Sequence, residues 1–249
     1  MRNAIKIFVI ATVAAAAAAF GSGGAGAAFV TSDFPAVQAI SPGPGQVVGI
    51  AAPVSVRFAE PVTDRARVER AVSIRAGTTL AGQFSWVDDR QLTWTSAGYL
   101  PTSASVSVSV GRLHTNFQTN AGVTADGDMS AHTFTVYIGG APVNTMPASY
   151  GKPGWETPVG TFPVLSRERS VTFDSRTIGI PLNSAEGYLI QGEWAERLTW
   201  GGVYVHSAPW SVDSQGYANV SHGCINLAPG DAEWFYNTVS IGDPVTLHW

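Results

Sequence analysis

Cysteine is all but missing from this chain. Cys224 is the only one in 249 residues, so an intrachain disulfide, a zinc ribbon and a paired-cysteine redox motif are excluded. Charge is sparse too. Asp, Glu, Lys and Arg make up 13% of the residues, the formal net charge is −4, and Lys and Arg nowhere gather into a patch. That distribution argues against a nucleic-acid partner. There is no glycine-rich phosphate loop and no internal repeat.

A long apolar run occurs at the N-terminus. Residues 1–6 carry Arg2 and Lys6 and no acid, residues 7–20 are apolar apart from Thr12, and residues 21–28 are small. This charged, apolar, small-residue order is that of a secretory signal peptide, with Ala25-Gly26-Ala27 and Gly26-Ala27-Ala28 as cleavage candidates. The run alone is short of the roughly 20 residues a membrane span needs. With its Ala/Gly tail it reaches that length, so an uncleaved anchor is the alternative and the only route to a membrane. No cysteine follows the run, which excludes a lipid anchor on this segment. The expected location is the periplasm or cell wall.

Removing residues 1–28 leaves roughly 220 residues, enough for one large or two small domains. The remainder reads as mainly β. Over residues 37–118 short alternating runs, such as Val54-Ser55-Val56-Arg57-Phe58 and Ser103 through Val110, recur at the spacing of an immunoglobulin-like β-sandwich. Asp88-Asp89 marks a turn, and residues 63–71 hold one or two helical turns. Nothing there looks catalytic; His114 and the scattered acids read as solvated surface. Residues 121–249 form a second β-rich domain. Asp126-Gly127 reads as a turn, residues 133–138 as a strand, Gly139-Gly140 as a hairpin turn and residues 143–149 as the returning strand. Residues 203–206 form a strand that delivers His206 at its end, and residues 243–248 form the last strand. Residues 229–237 make the one main helix, with Pro229 and Asp231 in its first turn. Residues 170–200 have weak periodicity and are expected to form, in part, a long hairpin over the site.

The lone thiol lies in Ser221-His222-Gly223-Cys224-Ile225-Asn226. Free cysteines are often idle core residues, but Ser, His and Gly are poor core neighbours. A thiolate is a working nucleophile, and a nearby imidazole is the usual means of making one. His206-Ser207, at the end of an apolar run, supplies a second histidine.

His206, fourteen intervening residues, then Ser221-His222-Gly223-Cys224-Ile225-Asn226 resembles the pattern of the L,D-transpeptidases, bacterial cell-wall enzymes. The likeness extends to Met146-Pro147-Ala148-Ser149-Tyr150-Gly151-Lys152, to Thr157-Pro158-Val159-Gly160-Thr161-Phe162, and to His206-Ser207-Ala208-Pro209-Trp210-Ser211-Val212, which is close to the mycobacterial version. It covers residues 121–249. The preceding segment resembles the immunoglobulin-like domain of mycobacterial-type members.

The resemblance implies Cys224 as nucleophile and His206 as base, its ring oriented by the backbone carbonyl of Ser207. Backbone N–H groups near Gly223 and Cys224 would hold the oxyanion. Tyr188 would turn its hydroxyl to the reacting carbonyl. Gly201-Gly202 would bind the peptide stem through backbone, and Asn226 and Trp210 would line the same groove, although plain packing also accounts for Trp210. His222 either tunes the thiolate or supports its loop. Phe173 and Ile178 stand where relatives often carry Met or Tyr, making the covering hairpin apolar. The implied reaction is 3→3 cross-linking of peptidoglycan stem peptides: a tetrapeptide donor loses D-Ala, a Cys thioester forms, and an amine of another stem resolves it. No metal or other cofactor is required, and carbapenems are expected to acylate Cys224. Three alternatives stay open: an L,D-carboxypeptidase, a zinc site built from His206, His222 and Cys224, and a non-catalytic wall-binding protein.

Overall fold

The computed structural model describes residues 34–249. Residues 1–28, read above as a signal peptide or anchor, fall outside that range. In the first half come β1 (Val37–Ser41), β2 (Val47–Val48), β3 (Val54–Phe58), the short helix α1 (Arg65–Arg70), β4 (Val72–Ala76), β5 (Thr78–Thr79), β6 (Gly82–Trp86), β7 (Gln91–Ser96), β8 (Ser105–Val110) and β9 (Leu113–Thr119). They form two sheets, ordered β1-β3-β7-β6 and β2-β9-β8-β4-β5. Strand β8 shows why they pack. Its serines alternate with Val106, Val108 and Val110, which are at most 1% exposed, because side chains of a strand point to opposite faces in turn. Those valines meet Phe58, Leu92, Trp94 and Phe117 in one apolar core. The expected sandwich is present.

The second half contains β10 (Val123–Asp128), β11 (Thr133–Ile138), β12 (Ala141–Pro147), β13 (Gly160–Pro163), β14 (Ser166–Asp174), β15 (Leu189–Arg197), β16 (Tyr204–Ser207), β17 (Ile225–Leu227), α2 (Pro229–Thr238) and β18 (Pro244–His248). One sheet runs β12-β11-β10-β18-β13 and the other β14-β15-β16-β17. Helix α2 buries Ala232 and Phe235, and Phe235 meets Phe134 edge to face with ring centroids 5.0 Å apart. The long hairpin is β14 and β15, paired from Ser166↔Arg197 to Asp174↔Leu189. Among the described residues no helix is long and apolar enough to cross a membrane.

Asp126-Gly127 is not a turn. Both residues lie inside β10, paired with Thr135 and Phe134. The glycine is there for close approach. A Cβ at Gly127 would stand 2.7 Å from Leu247 Cδ2 and 2.8 Å from the hydroxyl of Tyr150. The buried Tyr150 uses that space to donate a 2.5 Å hydrogen bond to Thr133 O.

The two halves have separate cores, yet residues 34–249 form one compact unit. The joint is made of main chain and one carboxylate. Gly49 N donates to Ile241 O and Ala51 N to Gly242 O, each at 2.8 Å. Asn120 Nδ2 donates to both oxygens of Asp243 at 2.8 and 2.9 Å, while its Oδ1 accepts from the N–H groups of Gly122 and Val123. Ser240 N also donates to Asp243 at 2.7 Å. Asp243 is fully buried. Burial pushes its carboxyl up to about 6, outweighing the Ser240 and Asn120 donors and the Arg167 charge.

A folded-state pKa above the unfolded one means that the folded state holds the proton more tightly. The associated stabilisation is complete below the unfolded pKa and is lost as pH rises through about 6. Asp243→Asn removes this titration. Between pH 4 and 7 the stability of the native protein relative to the variant is expected to fall by on the order of 2–3 kcal/mol, read from urea midpoints at each pH. A difference that stays flat with pH would mean that Asp243 is ionised throughout.

Candidate active site

Strand period places the site. In the parallel pair of β16 and β17, Val205 lies opposite Ile225, His206 opposite Asn226 and Ser207 opposite Leu227. Val205, Ile225 and Leu227 point into the apolar core. Tyr204, His206, Cys224 and Asn226 face the other way and line a cleft of about 670 Å³. The β14–β15 hairpin forms the opposite wall. Phe173 packs on His206 with ring centroids 4.6 Å apart and meets Tyr204 edge to face at 5.4 Å. Ile178, Tyr188 and Ile190 extend that wall, and Trp200 and Trp210 stand at the edge, 77% and 51% exposed.

His206 Nδ1 lies 2.8 Å from Ser207 O. A carbonyl only accepts, so Nδ1 carries the proton. Burial lowers the ring to about 4, against the opposing influence of the Ser207 carbonyl and the Asn226 side chain. The ring is therefore neutral at physiological pH, with the proton on Nδ1 and the lone pair on Nε2. Asn226 is held by Nδ2, which donates to Ser211 Oγ at 3.0 Å, and by main-chain bonds with Ser149 on both sides. Cys224 is half-buried, and loss of water pushes its thiol up to about 12. Its Sγ donates to Gly202 O at 3.5 Å. Thiol and imidazole are thus both neutral at rest.

The loop before the cysteine is internally tied. Ser221 Oγ donates to Cys224 O at 2.7 Å and accepts from Gly223 N at 3.1 Å. Gly223 has φ = 112°, a region L-residues avoid, and its carbonyl accepts from the buried Thr157 Oγ1 at 3.0 Å. Thr157 Oγ1 also accepts from Gly151 N at 2.8 Å, which explains the Thr-Pro-Val-Gly run as a clamp on this loop. The Gly223 N–H differs from the sequence expectation: it faces Ser221 rather than the cleft, because the serine side chain reaches it first. Tyr188 lies in the cleft wall, its hydroxyl kept protonated chiefly by burial and further by the negative charge of Asp174. The cleft also brings in Gly201, Gly202 and Trp210.

His222 lines the same cleft, but its Nε2 meets Glu186 Oε2 at 2.8 Å, and Lys152 Nζ donates to that oxygen at 2.6 Å. Sequence reading named Lys152 only as a member of a motif run, did not single out Glu186, and missed this cluster. Nothing in the sequence indicates that the three meet. Among the described residues no group of three or more His, Cys, Asp or Glu side chains is placed to hold a metal ion.

A lone thiol and a neutral imidazole line one cleft walled by aromatics, and the imidazole is tied through Nδ1 to a main-chain carbonyl. Residues 122–247 match the model of the L,D-transpeptidase catalytic domain. The chain belongs to the L,D-transpeptidase family. Residues 12–114 match a bacterial Ig domain. The chain is 52% identical to L,D-transpeptidase 1 of Mycobacterium tuberculosis over 213 residues, covering 86% of this chain and 85% of that protein. It superposes on an L,D-transpeptidase from Mycobacterium smegmatis with TM-score 0.82 and 52% identity, over 86% of this chain and 99% of that one. A transpeptidase structure in complex with imipenem gives TM-score 0.80 at 51% identity, over 86% and 100% of the two chains. Like the family, this chain is an acyltransferase with an immunoglobulin-like front half.

The resting protonation state has a direct readout. Alkylation of Cys224 by iodoacetamide is expected to be slow at neutral pH and to rise only toward the thiol's displaced value of about 12. A plateau of high reactivity from pH 5 to 8 would reveal a preformed thiolate–imidazolium pair instead.

Proposed function

We propose that this L,D-transpeptidase forms 3→3 cross-links between peptidoglycan stem peptides through a thioester on Cys224. The supporting observation is the Nδ1–Ser207 O bond of His206, which leaves the Nε2 lone pair as the ring's proton acceptor in the cleft that Cys224 also lines. As Sγ attacks the carbonyl between the third residue of a tetrapeptide stem and its terminal D-Ala, the thiol proton passes to Nε2. The C–N bond then breaks, the D-Ala nitrogen takes that proton, and a thioester remains. A side-chain amine of a second stem attacks the thioester, gives a proton back through His206, and Cys224 leaves as the thiol. Proton transfer coupled to attack suits two groups that are neutral at rest.

The oxyanion needs donors. The Gly223 N–H is engaged by Ser221, so the Tyr188 hydroxyl, protonated and on the cleft wall, takes this role with the backbone at Cys224. Backbone at Gly201 and Gly202 receives the donor stem, and Asn226 and Trp210 line its groove. Residues 37–118 serve as the module that sets the height of the cleft above its attachment point, residues 121–249 carry the chemistry, and export through residues 1–28 delivers both to the wall. Imipenem, seen with a relative, presents a strained carbonyl to the same thiol, so carbapenems acylate Cys224.

Intact mass after incubation with a disaccharide-tetrapeptide tests the reading. Wild type is expected to gain the donor minus D-Ala and, with acceptor present, to release a cross-linked dimer; Cys224→Ala is expected to gain nothing. Release of tripeptide alone would make the protein a carboxypeptidase. His206→Ala is expected to slow acylation by about 10²–10⁴-fold, and His222→Ala by much less. The reverse order would move the base to His222.

A further inference from the structure

Residues 175–188, which connect the two strands of the hairpin, are held at two points. At one, the buried Ser175 binds both neighbouring ends: its N–H donates to Tyr188 O at 3.0 Å, and its Oγ donates to Ile180 O at 2.9 Å and accepts from Tyr188 N at 3.0 Å. The stretch beyond is closed on itself, with Ser184 N donating to Pro181 O and Gly187 N to Ser184 O. The second point is Glu186, two residues before Tyr188. Its Oε2 accepts from Lys152 Nζ at 2.6 Å and lies 2.8 Å from His222 Nε2. Both partners belong to the catalytic loop's side of the cleft. Lys152 N donates to Ser221 O, and His222 is two residues from Cys224. The imidazole is further packed between the edge of Trp155, at 5.2 Å, and the ring of Tyr188, at 5.4 Å. The Lys152 ammonium and the His222 imidazole both hold the Glu186 carboxyl below its usual range.

We propose that Glu186 is a positioning residue: it fastens the hairpin connection to the Ser-His-Gly-Cys loop through His222 and Lys152, and so sets the Tyr188 hydroxyl opposite the carbonyl attacked by Cys224. His222 then acts as the loop's anchor for this latch, not as a base. The proposal rests on the reading of Tyr188 as an oxyanion donor. Because the latch joins charges that are partly open to water, its strength falls with ionic strength.

The test is the second-order rate of acylation by imipenem in the full chain, with thermal midpoints as a check on folding. Glu186→Gln is expected to slow acylation about two- to fivefold, and Glu186→Asp to recover most of the loss. In a Tyr188→Phe background, Glu186→Gln is expected to add no further loss. Raising NaCl to 1 M is expected to bring wild type toward the Glu186→Gln rate while leaving that variant unchanged. Equal rates for Glu186→Gln and wild type would overturn the latch. So would losses that multiply in the double variant, because Glu186 would then act independently of Tyr188. A Tyr188→Phe variant that acylates at the wild-type rate would overturn the latch together with the oxyanion reading, and would leave Cys224 as nucleophile untouched.

Discussion

The parallel pairing of β16 with β17 is the constraint on which the chemistry of this chain depends. Side chains alternate along each strand, so the register Val205↔Ile225 and His206↔Asn226 sends apolar residues to one face and the reactive set to the other. A slip by one residue would exchange the faces, burying His206 in the core and placing Val205 in the cleft. Val205, Ile225 and Leu227 are fully buried, and each contributes roughly 1.5–3 kcal/mol by leaving water. The core side of these two strands therefore fixes the cleft side. Parallel strands also need a long crossover, and here that connection carries the Pro209–Ser214 turn and the catalytic loop itself.

Burial sets the state of the two reactive groups in opposite directions from charge. The same loss of water that raises the Cys224 thiol lowers the His206 ring, so each step away from solvent makes the neutral pair more favoured. A resting thiolate would be the species most open to oxidation, and the chain has no second cysteine to reduce it by exchange. In the proposed mechanism, a neutral thiol held against Gly202 O is a latent nucleophile until a carbonyl arrives that can take up the developing charge. The proposed mechanism then requires the site to receive negative charge during attack, which gives donors such as the Tyr188 hydroxyl more weight than they would have beside a preformed ion pair.

Much of this was legible in the chain. The Ser/Val alternation of β8 and the proline and acid opening α2 are local signals, and they specify their elements directly. The cysteine, His206 and the carbonyl that orients its ring were readable through the spacing shared with the family. What escaped was tertiary. Asp126-Gly127 has turn chemistry, and only the approach of Tyr150 and Leu247 shows that the glycine makes room within a strand. The Gly223 N–H looked available because nothing in sequence tells that the Ser221 side chain curls back onto it. Glu186 meets Lys152 and His222 across long sequence separations, in a segment without periodicity. Asn120 and Asp243, likewise, carry no local mark of a joint.

That joint changes what the front sandwich can be. A spacer on a loose tether would leave the cleft free to sample many orientations, whereas main-chain bonds from Gly49 and Ala51 to Ile241 and Gly242 hold one relative placement of the two cores. The segment they grip leads straight into β18, the strand between β10 and β13. The Ile241 and Gly242 carbonyls are satisfied by the front half, and without it they would face water or remain unpaired. The reactive residues, however, sit on the other sheet, reached from β18 only through the shared apolar core. The front half thus bears on the catalytic half through the stability of β18, while the surroundings of His206 and Cys224 are set by β16, β17, the hairpin and the segment of residues 149–157 that clamps the cysteine loop.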